Sequence, residues 1–428
     1  MSFKFWQYII PFVLLFVVSK ANAQQDTIAK SVKADGLLPS ASIRLITEIG
    51  YEHDAMTASA LNNAMLYASG FIDDDLKNEN KARLSSLNRG GSTSDSKIFL
   101  KYYPDTLFGL PGLASYMAIE WHYLDEYRFT DDVYHLLFYG NKEFAGEKAN
   151  LAYTGRNSIN YFQLKAGLQK SIFKKHTFGV NLALNFGEQR NYFQFGENTC
   201  LTTNEQGTEI LFKNNLSYFE SDTSATDWYQ ISGVGAGLDL FYEYKHQGSY
   251  SLRASIENFG FIHWNKNSIQ MNENKEHLFK GIEVDNVFDM PNPLVNSNDT
   301  LQDYLYANAE TKSAMMLMPF DLRLEYKQFL LRRNLELSAS IYYRALSYMM
   351  PLYQVDATYR LSPYFKAGPI LSYGGYTDFN AGLKMQFDTK HIQIRLESRY
   401  LTGFAQHAFS GMGGFITFTY KIYKTPNL

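Results

Sequence analysis

Leu335-Glu336-Leu337-Ser338-Ala339-Ser340-Ile341-Tyr342-Tyr343-Arg344 decides the fold. Leu335, Leu337, Ala339, Ile341 and Tyr343 alternate with Glu336, Ser338, Ser340, Tyr342 and Arg344, and a period of two puts each set on its own face of a strand. Ile392, Ile394 and Leu396 alternate in the same way with Gln393, Arg395 and Glu397. From Asn334 to Tyr423 one such run follows another, broken by short turns at Leu361-Ser362-Pro363, Gly374-Gly375 and Asp388-Thr389-Lys390-His391. An unbroken meander of long strands, apolar on one face and polar on the other, is the pattern of a transmembrane β-barrel. The competing architecture, a secreted β-sandwich, has shorter strands and less regular turns.

Working outward, strands are expected at 42–51, 96–103, 113–123, 160–173, 177–189, 231–244, 250–262, 319–329, 335–343, 352–361, 364–373, 378–387, 392–401 and 411–423. That makes an all-β, antiparallel up-and-down barrel of about fourteen strands, an even number as single-chain barrels require. The stretch 192–221 reads as a hairpin projecting beyond the membrane, with Gly207 near its tip. Helix formers at 61–67 and 72–87, with Asp73, Asp74 and Asp75 early and Lys81 and Arg83 late, predict a helical loop. Further short helices are expected at 131–138, within the 128–156 connection, and at 301–310, within the 265–313 excursion. Long and short links alternate, so the long ones share one side, read as external, and both termini lie in the periplasm.

Lys4, the apolar run from Ile9 to Val18 and the small-residue site Ala21-Asn22-Ala23 describe a cleavable secretory signal, because the run is too short to span a membrane. The domain plan is a signal at 1–23 cut after Ala23, a leader at 24–41, the outer-membrane barrel at 42–423 and a tail at 424–428. The mean hydropathy of −0.29 fits a barrel, in which half of each strand is polar. Aromatics make up 16% of the chain, with 32 Tyr and 32 Phe, suited to the two interfacial girdles of such a barrel in outer-membrane lipid. A single cysteine, Cys200, excludes an internal disulfide and reads as a loop residue without a role. The net charge of −3 argues against nucleic acid as a partner.

If apolar residues face lipid, the other face lines a lumen. Its candidates are Asp239, Glu243, Arg253, Glu257, Arg323, Glu325, Lys327, Glu336, Arg344, Lys384, Arg395, Glu397 and Arg399. Both signs occur, often two residues apart, which suits a ladder of ion pairs across a filled or narrow barrel better than a pore of one sign. Gly233, Gly235 and Gly237 have no helix after them, so close packing or a bend explains them better than phosphate binding. No HExxH or G-x-S-x-G motif is present, and no cofactor or metal is expected. His122, near Glu120 and Asp125, and His263, beside Trp264, read as interface or loop residues.

Three phrases together carry a resemblance: Gly70-Phe71-Ile72-Asp73-Asp74-Asp75-Leu76-Lys77, Phe138-Tyr139-Gly140-Asn141 followed by Phe144-Ala145-Gly146, and Ile256-Glu257-Asn258-Phe259-Gly260-Phe261-Ile262-His263-Trp264. They resemble an uncharacterised Bacteroidota family of outer-membrane barrels, a domain of unknown function, over nearly the whole mature chain. Glu257-Asn258-Phe259-Gly260 stands where that family leads one to expect an Asp-Leu-Gly type of turn. More distantly, the strand count is similar to FadL-type transporters and to the barrel subunit of the type IX secretion system, at fold level only. The fold leads to the expectation of a non-enzymatic transport or channel role for a small solute, apolar ones included. Long loops support the alternative of docking a secreted protein or a secretion or outer-membrane assembly. N-terminal sequencing of the protein from outer membranes is expected to begin at Gln24; a chain still beginning at Met1 would contradict the signal.

Overall fold

The computed structural model describes residues 44–58, 74–173, 175–222, 224, 230–246, 249–279, 309–401 and 411–424. Residues 45–423 form one compact unit; the other, 1–44 with 424–428, lies almost wholly outside the described residues, as does the expected signal and leader.

The compact unit is a ring of fourteen antiparallel strands. They are β1 (Arg44–Ala58), β2 (Leu87–Tyr102), β3 (Leu113–Thr130), β4 (Gly155–Ile172), β5 (His176–Phe195), β6 (Gly233–His246) and β7 (Tyr250–Trp264). Then come β8 (Phe320–Leu330), β9 (Leu335–Ala345), β10 (Leu352–Ser362), β11 (Phe365–Gly374), β12 (Thr377–Asp388), β13 (Ile392–Ser398) and β14 (Met412–Lys424). Each strand pairs with the next, and β14 pairs with β1, which closes the barrel. Closure removes both sheet edges, so the wall leaves no row of backbone groups unpaired in lipid.

The two faces are the reverse of a soluble protein. Leu182, Leu184, Ile119, Met117, Val234 and Val355 are exposed on the outside, while Gln163, Asn185, Thr358 and Lys165 are buried within. An apolar band around a polar interior is a transmembrane β-barrel of the outer-membrane kind.

The wall bends at one defined place. Pairing of β6 with β7 shifts between Leu238 and Leu240, so that Glu257 and Asn258 together oppose Asp239, and Asn258 takes φ 65°. This β-bulge turns two consecutive side chains into the lumen and reverses the alternation above it. Arg253 and Ser255 face inward below the bulge; Ile262 and Trp264, wholly buried, face inward above it. The bulge lies at Glu257-Asn258-Phe259-Gly260, where the family pattern leads one to expect a different turn.

Several boundaries differ from expectation, most of them above the membrane. β1 runs on to Ala58, and β2 starts at Leu87 rather than near 96, because Gly90-Gly91-Ser92-Thr93-Ser94 carries no apolar outward face yet is held by pairing to β1 and β3. The expected helix at 72–87 is therefore only α1 (Asp74–Lys81), and the stretch 61–67 lies outside the described residues. The expected helix at 131–138 is α2 (Asp131–Tyr139), where Thr130 accepts a hydrogen bond from Val133 N at 3.3 Å. Of the helix expected at 301–310, residues 301–308 lie outside the described residues, and Glu310–Thr311 is a short strand.

β5, with 20 residues, is far longer than the roughly 9–11 needed to span. Its upper part pairs with Ile210–Glu220, which in turn pairs with Ile269–Phe279. The expected hairpin at 192–221 is thus the tip of β5 followed by Cys200–Thr203 and Ile210–Glu220, with Gly207 at φ 72° between them. Cys200 is a buried strand residue rather than a loop residue.

Leu182 points to lipid near the middle of the part of β5 that pairs with β6, residues 176–187. Leu182→Arg is expected to destabilise the barrel by about 2–4 kcal/mol in bilayers, by denaturant titration. A cost below about 0.5 kcal/mol would contradict the inside-out assignment.

Candidate functional site

Charged side chains that the barrel cannot turn to lipid meet inside it. On one side Lys165 of β4 lies 2.9 Å from Glu120 of β3 and 3.0 Å from Asp239 of β6, all three almost fully buried. The bulge supplies the third ligand of this ammonium: Lys165 Nζ donates to Asn258 Oδ1 at 2.7 Å, while Asn258 N donates to Asp239 at 2.7 Å. A fully ligated ammonium between two carboxylates is the arrangement that makes burial of three charges tolerable.

The string continues through a histidine. His122 Nδ1 is 2.8 Å from Asp95 of β2, and its Nε2 faces Glu120 at 3.3 Å. The expectation that His122 is an interface or loop residue is corrected: even-numbered positions of β3 face the lumen, and His122 shares that face with Glu120 and Glu126. Asp95 is then 3.4 Å from Arg344 of β9, and Arg344 is 2.7 Å from Asp321 of β8, whose Oδ1 also accepts from the Tyr342 hydroxyl at 2.7 Å. β2 and β9 stand diametrically opposite in the ring of fourteen. The Asp95–Arg344 contact therefore ties one wall to the other across the lumen.

Under this tie lies a cavity of about 90 Å³. Five carboxylates border it, Glu52, Asp95, Glu120, Glu257 and Asp321, with Lys97, His122, Arg323, Arg344 and Arg399 as the opposing cations. Of the lumen candidates, the structure brings Glu257, Arg323, Arg344 and Arg399 to this cavity. The others are spread along the inner wall. Glu325 pairs with Lys327 at 3.1 Å, Glu397 with Arg399 at 3.4 Å and Lys384 with Asp356 at 3.3 Å. Arg253 stacks 4.5 Å over the Phe241 ring, Arg395 stacks 4.7 Å over Phe415, and Glu336 stands on the inner face opposite Thr358.

A second constellation, which sequence reasoning missed, closes the lumen above the cavity. The connection between β9 and β10, residues 346–351, folds inward. Glu126, wholly buried, receives Ser347 Oγ at 2.6 Å, Tyr348 N at 2.9 Å and Tyr376 OH at 2.7 Å on one oxygen and Asn157 Nδ2 on the other. Asn157 in turn accepts from Arg190 and donates to Leu346 O at 3.2 Å. The wall is cut away to seat the two tyrosines: a Cβ at Gly91 would lie 2.5 Å from the Tyr376 ring, and one at Gly155 2.7 Å from the Tyr348 hydroxyl. Met349 packs with Leu352, Tyr376 and Tyr400 and forms part of the cavity lining. Glycines on a strand face were legible in the sequence; which aromatics they seat was not, because Tyr376 lies 285 positions from Gly91 in sequence.

Among the described residues no group of three or more His, Cys, Asp or Glu side chains is placed to hold a metal ion. The arrangement can bind and order charged groups and exclude apolar ones.

The model of a Family of unknown function (DUF5723) matches residues 124–398. The chain belongs to that family. This DUF5723 barrel has no match among curated proteins. Among solved structures it is similar to the toluene transporter TodX of P. putida, at 10% identity over 90% of this chain and 91% of the other, with a TM-score of 0.39. It is similar too to the toluene transporter TbuX of Ralstonia pickettii, at 9% identity over 90% of each chain and a TM-score of 0.41. A Pseudomonas aeruginosa FadL homologue matches at 9% identity over 89% and 90%, with a TM-score of 0.40. The fold assignment rests on the strand pairing of this chain rather than on these likenesses.

Lys165→Met removes the ammonium and leaves Glu120 and Asp239 buried without it. The expected cost is about 3–5 kcal/mol of unfolding free energy, partly recovered when Glu120→Gln and Asp239→Asn are added. A neutral single substitution would contradict the burial of this group.

Proposed function

We propose that this DUF5723 protein is a non-enzymatic outer-membrane transport barrel that passes small polar solutes bearing charge. The observation that carries this reading is the charge of the cavity wall. Ten charged or chargeable side chains of both signs surround it, and Met349 is the one aliphatic side chain on its lining. An apolar solute there would strip water from ionic groups without replacing their hydrogen bonds, a cost of several kcal/mol. A small zwitterion or ion exchanges water for groups of opposite charge on either side of it. Passage of apolar solutes, part of the expectation from sequence, is therefore the less favoured form of this role.

The test is swelling of liposomes carrying the refolded protein. Glycine-sized zwitterions are expected to enter faster than in protein-free liposomes, and faster than a neutral sugar of greater bulk. Background rates for every solute, with a correctly folded barrel, would contradict the proposal.

One observation favours a second reading, docking of a secreted or outer-membrane partner. The sheet built by the upper part of β5, Ile210–Glu220 and Ile269–Phe279 rises above the wall, a platform that transport of a small solute does not require. Photo-crosslinkers placed on 269–279 are expected to yield adducts of one defined mass in cells under this reading; monomer alone would contradict it.

A further inference from the structure

We infer that the connection between β9 and β10 is a releasable latch, and that Glu126 is the group on which most of its holding hydrogen bonds converge. This inference rests on the transport reading for its purpose but not for its geometry.

Three features separate a latch from a permanent part of the wall. First, the pairing of β9 with β10 ends at Tyr342 and Leu352, so residues 346–351 belong to no sheet and can swing without breaking the barrel. Second, the inward pose is held against a local cost. Leu346 sits at φ 59°, a conformation that branched side chains adopt only when their surroundings impose it. Third, the imposed contacts converge on one carboxylate. Ser347 Oγ and Tyr348 N both donate to the Glu126 oxygen that also receives Tyr376, and Ser347 Oγ accepts from Met349 N at 3.0 Å.

The remaining holds are weaker or shared. Met350 N donates to Gly375 O at 2.9 Å, and the Arg128 guanidinium lies 4.5 Å over the Tyr348 ring. Leu346 and Met350 remain exposed at 52% and 47%, and the apolar anchor of the loop is Met349, packed with Leu352, Tyr376 and Tyr400. Glu126 is tied to the adjoining strands β4 and β5 through Asn157 and Arg190, which keeps its oxygens aimed at the loop. Because every neighbour of both oxygens is a donor, an amide at this position must set one N–H against another donor. Glu126→Gln is therefore a shape-preserving way to weaken the latch, and Glu126→Ala a way to abolish it.

The measurement reads loop release directly. In a Cys200→Ser background, Met349→Cys places a thiol at a position only 3% exposed, and its modification by a membrane-impermeant maleimide is timed in liposomes. Heat-modifiable electrophoretic mobility confirms a folded barrel in each variant. Glu126→Ala is expected to raise the modification rate about tenfold or more, since charge-assisted hydrogen bonds are the strong kind, with Glu126→Gln between it and the parent. A rate in folded Glu126→Ala within about twofold of the parent overturns the latch. Zwitterion permeation is measured on the same samples. Faster modification together with faster permeation supports both latch and transport. Faster modification with permeation unchanged leaves the latch standing and removes the transport reading.

Discussion

The rest of the structure depends on closure of the strand ring in lipid, which brings Asp95 and Arg344 together across the lumen. A chain in lipid must pair every backbone polar group, and a closed ring of strands does so. Closure then fixes side-chain direction: at membrane depth apolar residues turn to lipid and charges turn inward. Charges enclosed by a protein wall need partners. The string from Asp239 through Lys165, Glu120, His122, Asp95 and Arg344 to Asp321 provides them, and in doing so it bridges the barrel at its widest separation of strands.

Two kinds of closure result, and they differ in how they can yield. The belt is built from strand residues whose backbone is fixed by the wall, so it can yield only by its side chains exchanging charged partners. Above it, the 346–351 connection is held by hydrogen bonds to one carboxylate and can move without disturbing any strand. The small cavity is lined by residues of both, Asp95 and Arg344 of the belt and Met349 of the connection. Above the bulge, Ile262 and Trp264 pack with Leu124, Ile159, Tyr161 and Met318, filling part of the external half with an apolar core. The bulge at Asn258 is what makes this division possible, because it places polar inward residues below and apolar inward residues above on one strand.

Most of the architecture was legible in the sequence because a period of two is a local signal. The fourteen strands, the short turns and the face that Arg323, Arg344 and Glu397 occupy all follow from it. Boundaries failed where lipid no longer imposes a pattern, as at Leu87–Ser94, or where both faces are polar, as at Ile269–Phe279. The reading of His122 failed for a different reason: its partners, Asp95 and Glu120, are fixed by barrel register, and Glu120 alone is its neighbour in sequence. Glu126 left no signal at all, since a carboxylate on an inward position looks like any other until the loop that it receives is known.

The central claim is that the lumen is bridged by paired charges rather than open to bulk water. A double-mutant cycle on Asp95→Asn and Arg344→Met, read as unfolding free energy in bilayers, tests it most directly. The account predicts a coupling of about 1 kcal/mol or more, within the range of residues in contact. Additive effects, within about 0.5 kcal/mol, would mean that the two groups are separated by screening water, and would contradict a closed belt.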